Sequence, residues 1–327
     1  MIDRRTFMGA VAANLVAVPL VAMGQQTEKV HRIGLLQLGN PPVPAGPDWD
    51  PAPLRDLGWI EGKNLVIEYR YAGESAELLH RLAAELVRLK VEIIVTTGTD
   101  AAVAARDATT RIPIVMYSAG DPVGAGLVAR LSKPGGNITG FSILTTELDI
   151  KRLEVLHALL PAVQRVGELV NPANPMSKVG RKEYEEAFRA LGMQPLFIDV
   201  AAASGLGNAF AELARRRAQA LVVPLDNLFV ANSASIMRAS VAYALPTMVG
   251  SRAMVEDGGM VSYTFSGDER SRRFAYFIDK ILRGARPGDL PIEQPTKFEL
   301  IINLKTAKAL GIKVPPSLLA RADEVIQ

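Results

Sequence analysis

The sequence predicts an α/β fold of two Rossmann-like lobes, each with a parallel sheet flanked by helices. From residue 31, short apolar runs rich in Val and Ile alternate with segments whose apolar residues recur at helical spacing. Such alternation is typical of a parallel sheet covered by helices on both faces. The plan occurs twice, in two sets of similar size, and a chain of 327 residues is long enough for two domains.

The first set contains four strand-like runs and two clear helical segments. The runs are RIGLLQL, NLVIEYRYA, VEIIVTTG and IPIVMYSAG, and the helical segments are SAELLHRLAAELVRLK and the alanine-rich DAAVAARDA. Pro51 and Pro53 lie where another helix of this lobe should begin. Because proline removes a backbone donor and crowds the preceding turn, we expect a short or irregular helix there.

The second set repeats the plan after NITGFSILTTELD, a polar, turn-rich segment that predicts a crossing between the lobes. Its strand-like runs are RVGELVNP, PLFIDVA, ALVVPLD and PTMVGSR, and its helical segments are RKEYEEAFRALG, NAFAELARRR and ASIMRASVAYA. After MVSYTF, the helical segment ERSRRFAYFIDKILRGA and the Pro-rich PGDLPIEQP precede a last strand–helix pair that starts at FELIINL. Both lobes are therefore expected to be complete α/β units.

Residues 1–24 predict an export signal that is cleaved near Gly24. They have a short charged start, an apolar run and the small-residue ending Ala22-Met23-Gly24. The apolar run is short for a membrane span. The pair Arg4-Arg5 suits either a twin-arginine signal or a simple Sec signal, and both remain open. We expect an exported mature protein that does not span a membrane, most simply in a periplasm.

The composition excludes several classes of function. The chain has no cysteine, which excludes disulfides, thiolate metal sites and cysteine nucleophiles. The net charge is +3, and the loss of two arginines and one aspartate with the signal leaves +2, too little to predict nucleic-acid binding. The arginine clusters 215–217 and 270–273 are expected on solvated helix faces. The three histidines lack metal-ligand spacing, and GxSxG does not occur, so neither a metal site nor a hydrolase is predicted.

Small polar residues follow the strands of both sets. In open parallel sheets, ligands bind outside the carboxyl ends of the strands, so these residues predict a polar cleft between the lobes. The candidates are Gly39, Asn40, Thr97, Gly98, Thr99, Ser118, Asp121, Asn174, Asp226 and Ser251. The turn before the alanine-rich helix suits an anion, because a helix N-terminus presents unpaired N–H groups. The alternative is that Thr99 or Asp100 merely caps that helix.

Two features leave more than one interpretation open. Asp121 and Asp226 could form an acid–base pair, bind an ammonium group, or cap turns and helices. Gly124-Ala125-Gly126-Leu127-Val128-Ala129 is a near-match to the dinucleotide fingerprint, so an exported NAD(P)-dependent oxidoreductase that uses the Gly124–Gly126 loop is the alternative function. A turn role for these two glycines is the simpler interpretation.

Three stretches resemble the ABC transporter substrate-binding family, whose members include tryptophan/tyrosine transport binding proteins. They are EGKNLVIEYRYA, IPIVMYSAGDPVGAGLV with LSKPGGNITGFS, and LPIEQPTKFELIINLKTAKALGIKVPPSLLARADEVI. The similarity extends from about residue 30 to the C-terminus. It implies a type I periplasmic binding protein fold, with three crossings between two hinged lobes. On this basis lobe 1 should comprise residues 28–141 and 265–292, and lobe 2 residues 142–264 and 293–327.

The resemblance also implies a function without catalysis. A monomer without a cofactor would capture a small polar solute, such as an aromatic or other amino acid, and deliver it to a membrane permease and its ATPase. A sensory role in place of transport remains open.

By position, the resemblance assigns parts of the ligand to the candidate residues. Thr97, Gly98 and Thr99 would face a carboxylate, with Ser118 and Asp121 beside them. Asn174, Asp226 and Ser251 would close from the second lobe. Tyr117, Phe141 and Phe229 could stack on an aromatic ligand, although such residues are usually part of the core.

Overall fold

The computed structural model describes residues 29–41, 50–143 and 145–327. The predicted export signal, residues 1–24, lies outside the described residues. The elements given below all belong to one compact unit, His31–Gln327.

The first lobe is built on a five-stranded sheet whose neighbouring strands are all parallel. Its elements are β1 (His31–Gln37), α1 (Ala52–Asp56), β2 (Leu65–Tyr71), α2 (Ala76–Arg88), β3 (Ile93–Thr97), α3 (Thr99–Ala108), β4 (Ile114–Ala119) and β5 (Ile138–Ser142). The strand order is β2-β1-β3-β4-β5. Leu35 and Leu36 of β1 enter different core clusters, as expected for consecutive residues of a strand buried on both faces.

The second lobe is built on a seven-stranded sheet. Its elements are α4 (Thr145–Leu159), β6 (Arg165–Val170), α5 (Arg181–Ala190), β7 (Gln194–Asp199), α6 (Leu206–Arg215), β8 (Ala220–Val223), α7 (Asn227–Ala231), α8 (Ser233–Ala242), β9 (Thr247–Val249), α9 (Arg252–Glu256) and β10 (Val261–Phe265), and, after α10 (Gly267–Leu282), β11 (Phe298–Asn303), α11 (Leu304–Ala309), α12 (Pro316–Leu319) and β12 (Glu324–Ile326). The strand order is β12-β11-β10-β9-β8-β6-β7. Leu221 and Val222 of β8 again enter different clusters.

The chain passes between the lobes three times: after β5, after β10 and before β11. Between the last two passages, α10 buries Phe274, Phe277 and Ile278 against the sheet of the first lobe. The predicted two-lobe α/β fold is confirmed, with one correction to its parallel sheets. Since the chain leaves and re-enters the second lobe at the same end of its sheet, Phe298 pairs with Phe265 and β11 runs antiparallel to β10.

The segment predicted as a polar crossing is largely regular structure. Its residues Ile138–Ser142 form β5, and α4 begins at Thr145. Polar residues are tolerated in this buried strand because they are hydrogen-bonded: Thr139 Oγ1 donates to the Leu290 carbonyl and Ser142 Oγ to the Gly120 carbonyl. A Cβ on Gly140 would lie 2.3 Å from the carbonyl oxygen of Met116, so the strand requires glycine there.

The expected short first helix is confirmed, because α1 has only five residues and Pro53 lies in its first turn. Among the residues that the structure describes, no helix combines the length and apolar sequence needed to cross a bilayer.

Candidate functional site

A cavity of about 510 Å³ lies between the carboxyl ends of the two sheets, within the range usual for small-molecule sites. The structure brings nine of the ten predicted residues together in its lining. They are Gly39, Asn40, Thr97, Gly98, Thr99, Ser118, Asn174, Asp226 and Ser251. The strand-end rule located them because parallel strands present their carboxyl ends at one edge of each sheet.

Asp121 is not in the lining of this cavity. Its Oδ1 accepts a hydrogen bond from the backbone N–H of Val123 at 3.0 Å, so it caps the turn after β4. The expectation that Asp121 lies beside the ligand is therefore corrected in favour of the capping interpretation.

The Gly124–Gly126 loop does not have the geometry of a dinucleotide site. Residues 122–126 form consecutive turns, and the chain continues to β5 without a helix. A fingerprint loop works by placing a pyrophosphate at a helix N-terminus, and this segment provides none. The glycines serve the turn: Gly126 has φ +68°, and a Cβ on Gly124 would lie 2.3 Å from the Asp121 carboxyl.

The lobes are closed around the cavity. Asn227, at the start of α7, donates from Nδ2 to the carbonyl of Thr97 at 3.1 Å and approaches Asp100 Oδ1 at 3.4 Å. On the other side of the cavity, the Met176 side chain packs against Gly120, since a Cβ built on Gly120 would lie only 2.6 Å from Met176 Cγ. Both contacts join a residue of the second lobe to one of the first.

The N-terminus of α3 is partly occupied by a carboxyl group of the protein. Asp100 Oδ1 accepts from the backbone N–H of Ala101 at 2.8 Å, and Thr99 Oγ1 accepts from the backbone N–H of Gly120 at 2.8 Å. Burial raises the pKa of Asp100 to about 7, and neighbouring Asp226 contributes to the increase. Any anion at this helix would share its amide groups with Asp100.

Asp226 is the corresponding carboxyl of the second lobe. It caps α7 by accepting from the backbone N–H of Leu228 at 2.8 Å. It also accepts from Asn174 Nδ2 at 2.6 Å and from Asn171 Nδ2 at 3.2 Å. Burial raises the pKa of Asp226 above its ordinary value, although the amide hydrogen bonds counteract this.

Arg270 also lines the cavity, although the sequence analysis assigned it to a solvated helix face. Its guanidinium carbon lies 4.1 Å from the ring centroid of Tyr117 and 4.7 Å from that of Phe265. These distances suit cation–π contacts, which orient the group at the cavity. Phe274 and Phe277 follow Arg270 by four and seven residues, so all three lie on one helix face. This spacing was the sequence feature that could have indicated a buried position for Arg270.

Among the described residues of the lining, the charged groups are one cation, Arg270, and two carboxyl groups, Asp100 and Asp226. The other polar lining residues are amides and hydroxyls. Thr97 Oγ1 is buried and makes no hydrogen bond to the residues that the structure describes. In the described part of the chain, no three His, Asp or Glu residues gather as a metal site would require. The arrangement complements a small molecule that carries both signs of charge.

Comparison with known proteins gives consistent matches over most of the chain. The family model described as ABC transporter substrate binding protein matches residues 52–326. A tyrosine-binding protein of Clostridioides difficile (strain R20291) is 28% identical over 260 residues, which cover 80% of this chain and 74% of that protein.

Two solved structures share the fold and about a quarter of the sequence. One is an ABC domain from Streptococcus pneumonia in complex with L-Trp, with a TM-score of 0.82 and 26% identity. The other is a conserved domain protein from Vibrio cholerae, with a TM-score of 0.85 and 26% identity. In both comparisons the match covers 91% of this chain and 100% of the solved one.

Proposed function

Since the chain belongs to the ABC transporter substrate-binding protein family, we propose that it captures an aromatic L-amino acid between its lobes and delivers it to a membrane permease. The family and the similar proteins are binding proteins, so the chain is a binding protein and not an enzyme. The similar proteins are described as binding tyrosine in one case and as holding L-Trp in another.

The observation that supports an amino acid is the placement of opposite charges in one cavity. Arg270, held over Tyr117, suits the α-carboxylate, because a guanidinium donates charge-assisted hydrogen bonds to it. Asp226, with Asp100 nearby, suits the ammonium group. The unpartnered hydroxyl of Thr97 offers a further hydrogen bond.

Delivery follows from the way that the lobes close. The contacts across the cavity, from Asn227 to Thr97 and from Met176 to Gly120, are few. A ligand that bridges the lobes adds contacts to the closed form, and opening at the three crossings releases it. In this proposal an exported monomer presents its closed form to the permease, which works with its ATPase.

Calorimetric titration with modified ligands tests the charge assignment. L-Tyrosine and L-tryptophan should bind, whereas tyramine, which lacks the carboxylate, and N-acetyl-L-tyrosine, which lacks the ammonium, should lose about 100-fold or more in affinity. Arg270→Met should weaken L-tyrosine binding and leave tyramine binding unchanged. Well-folded protein that binds no amino acid, or binds all of these compounds equally, would contradict the proposal.

Transport and location are tested in cells. Deletion of the gene should reduce uptake of the labelled amino acid, and the mature protein should fractionate with the periplasm after loss of residues 1–24. A retained signal, or uptake that does not change despite binding in vitro, would favour another role for the bound form.

A further inference from the structure

A second cavity, of about 90 Å³, lies inside the second lobe and adjoins the cleft. This volume is several times the roughly 10–15 Å³ that one water molecule needs. The two cavities share five lining residues: Ile143, Asn174, Met176, Leu225 and Asp226. The two cavities therefore adjoin along these residues, among them Met176, whose thioether side chain is flexible.

The second cavity has both apolar and ionisable groups in its lining. Leu148, Val179 and Phe229 are apolar, and the ionisable residues are Asp149, Arg152, Glu168, Arg181 and Asp226. Asp149 and Arg152 form an ion pair with each other. Apolar walls with a few placed polar groups are typical of a pocket that binds an organic group in one orientation. Such a lining is complementary to a side chain that has a ring and one polar end.

Two polar atoms of this cavity have no hydrogen-bond partner among the described residues. They are Glu168 Oε2 and Arg181 Nη1, and both are buried. Glu168, in the middle of β6, is only 8% exposed. Leaving such buried atoms without a hydrogen bond destabilises the protein, and does so more for a charged group than for a neutral one. The closed protein therefore lacks hydrogen bonds that a bound group can supply.

The remaining atoms of these side chains are held in place. Arg181 Nη2 donates to the carbonyl of Ser177 at 3.0 Å, and the guanidinium carbon lies 3.9 Å from the ring centroid of Phe197. The Tyr184 hydroxyl lies beside the Glu168 carboxyl and lowers its pKa, against the effect of burial. The two unpartnered atoms are thus presented by side chains that are already oriented.

The protonation state of Glu168 limits which ligand group can hydrogen-bond with it. Burial raises the pKa of Glu168 to about 8, so the empty cavity favours the protonated carboxyl at neutral pH. A hydroxyl group both donates and accepts, so it suits this carboxyl in either protonation state and can also accept from Arg181. An indole N–H only donates and leaves Arg181 unsatisfied, and a phenyl ring satisfies neither group.

We propose that this cavity takes the side chain of a bound tyrosine, whose phenol oxygen accepts from Arg181 Nη1 and hydrogen-bonds with Glu168 Oε2. The ring lies between the apolar walls, after Met176 has changed rotamer. This assignment rests on the proposed function, because it requires the amino-acid head group to lie in the cleft. It makes Glu168 and Arg181 the residues that select a hydroxylated side chain.

The matched ligands L-tyrosine and L-phenylalanine, which differ only in the hydroxyl, test the assignment by calorimetry. The unmodified protein should prefer tyrosine to phenylalanine by about tenfold or more, and should also prefer tyrosine to tryptophan. Arg181→Met should reduce the preference over phenylalanine to within about threefold while phenylalanine affinity stays unchanged. Arg189→Met, on the exposed side of the same helix, should leave the preference intact.

Glu168→Leu should act like Arg181→Met, and if it fails to fold, Arg181→Met carries the test alone. Equal affinity of the unmodified protein for tyrosine and phenylalanine, a tighter complex with tryptophan, or a full preference retained in Arg181→Met would overturn this assignment and leave the proposed function standing. Absence of binding to all three amino acids would overturn both.

Discussion

Asn227 Nδ2 donates a hydrogen bond to the carbonyl of Thr97 at 3.1 Å, and this bond joins the two lobes at the edge of the cavity. Its neighbourhood is crowded, since Asp100 Oδ1 lies 3.4 Å from the same nitrogen. A second connection is made by Glu74, which accepts from the backbone N–H of Ala203 at 3.1 Å. The closed form is thus held by a few polar contacts, which is appropriate for an equilibrium that a ligand shifts.

Asn227→Ala should move the unliganded protein toward the open form. The variant loses the bond to Thr97 but no core contact, so its melting temperature should change little, whereas its radius of gyration by X-ray scattering should increase. The apparent ligand affinity should fall in proportion to the decrease in the fraction of molecules that are closed. Ser235→Ala, which removes an exposed hydroxyl bonded to Arg238, serves as the control. An unchanged radius with unchanged affinity would show that Asn227 does not hold the lobes.

Gly98→Ala should impair closure, and the chain offers a matched control. Gly98 and Gly58 both have φ +91°, a conformation that alanine rarely adopts, so the substitution strains the backbone at each. Gly98 also has ψ 160°, and its added Cβ would lie 2.5 Å from Asn227 Nδ2 and 2.6 Å from Asp100 Oδ1, whereas at Gly58 nothing lies within 4 Å. Both variants should lose stability, Gly98→Ala more than Gly58→Ala, but only Gly98→Ala should lose ligand affinity, by tenfold or more. Equal affinities in calorimetry would contradict the proposed closure.

Asp100 should make the unliganded protein less stable as pH rises. Its pKa in the folded protein, about 7, is above the ordinary value of 3.8, so the folded state binds the extra proton between these pH values. The free energy of unfolding therefore falls between about pH 4 and pH 7, by roughly 1.4 kcal/mol per unit of pKa difference. Asp226 lines the same cavity, and since burial also raises its pKa, it adds to this dependence on pH.

Asp100→Asn should flatten this part of the pH profile in urea unfolding, because the amide does not titrate. The comparison should be made without ligand, since a bound ammonium group would favour the ionised carboxyl. A slope identical in the two proteins would mean that Asp100 is ionised throughout this range.

Local sequence rules located much of the cleft, and their failures have physical causes. Thr97 and Ser118 lie at the carboxyl ends of buried parallel strands and Asn174 follows another, so topology alone brings them to the cavity. Asp121 also follows a strand, but the turn that it caps directs it away from the cavity. Whether such a residue reaches the cavity therefore depends on the direction of the turn after the strand, which the sequence does not specify.

The buried charges were harder to predict than the polar loops. Arg270 lies in a run of arginines, which is usually solvated, and its position depends on how α10 packs on the first lobe. Glu168 lies within an apolar strand run, where its acidic character was the only sign of a cavity. The placement of both residues depends on contacts between elements that are distant in sequence, so local sequence patterns do not predict it.

Arg152→Met should destabilise the second lobe strongly, because Arg152 is only 2% exposed and no water can replace its bonds. Its guanidinium donates to the carbonyls of Tyr263 and Gly250 at 2.9 and 3.0 Å and to Asp149 at 2.6 Å. Methionine has a similar length but leaves the half-buried Asp149 carboxyl without its cation and two carbonyls without their donor, which together costs roughly 3 kcal/mol. Arg215→Met, which removes an exposed pair with Glu212, should cost less than about 1 kcal/mol. Urea unfolding of both variants measures the difference, and equal costs would mean that water reaches Arg152.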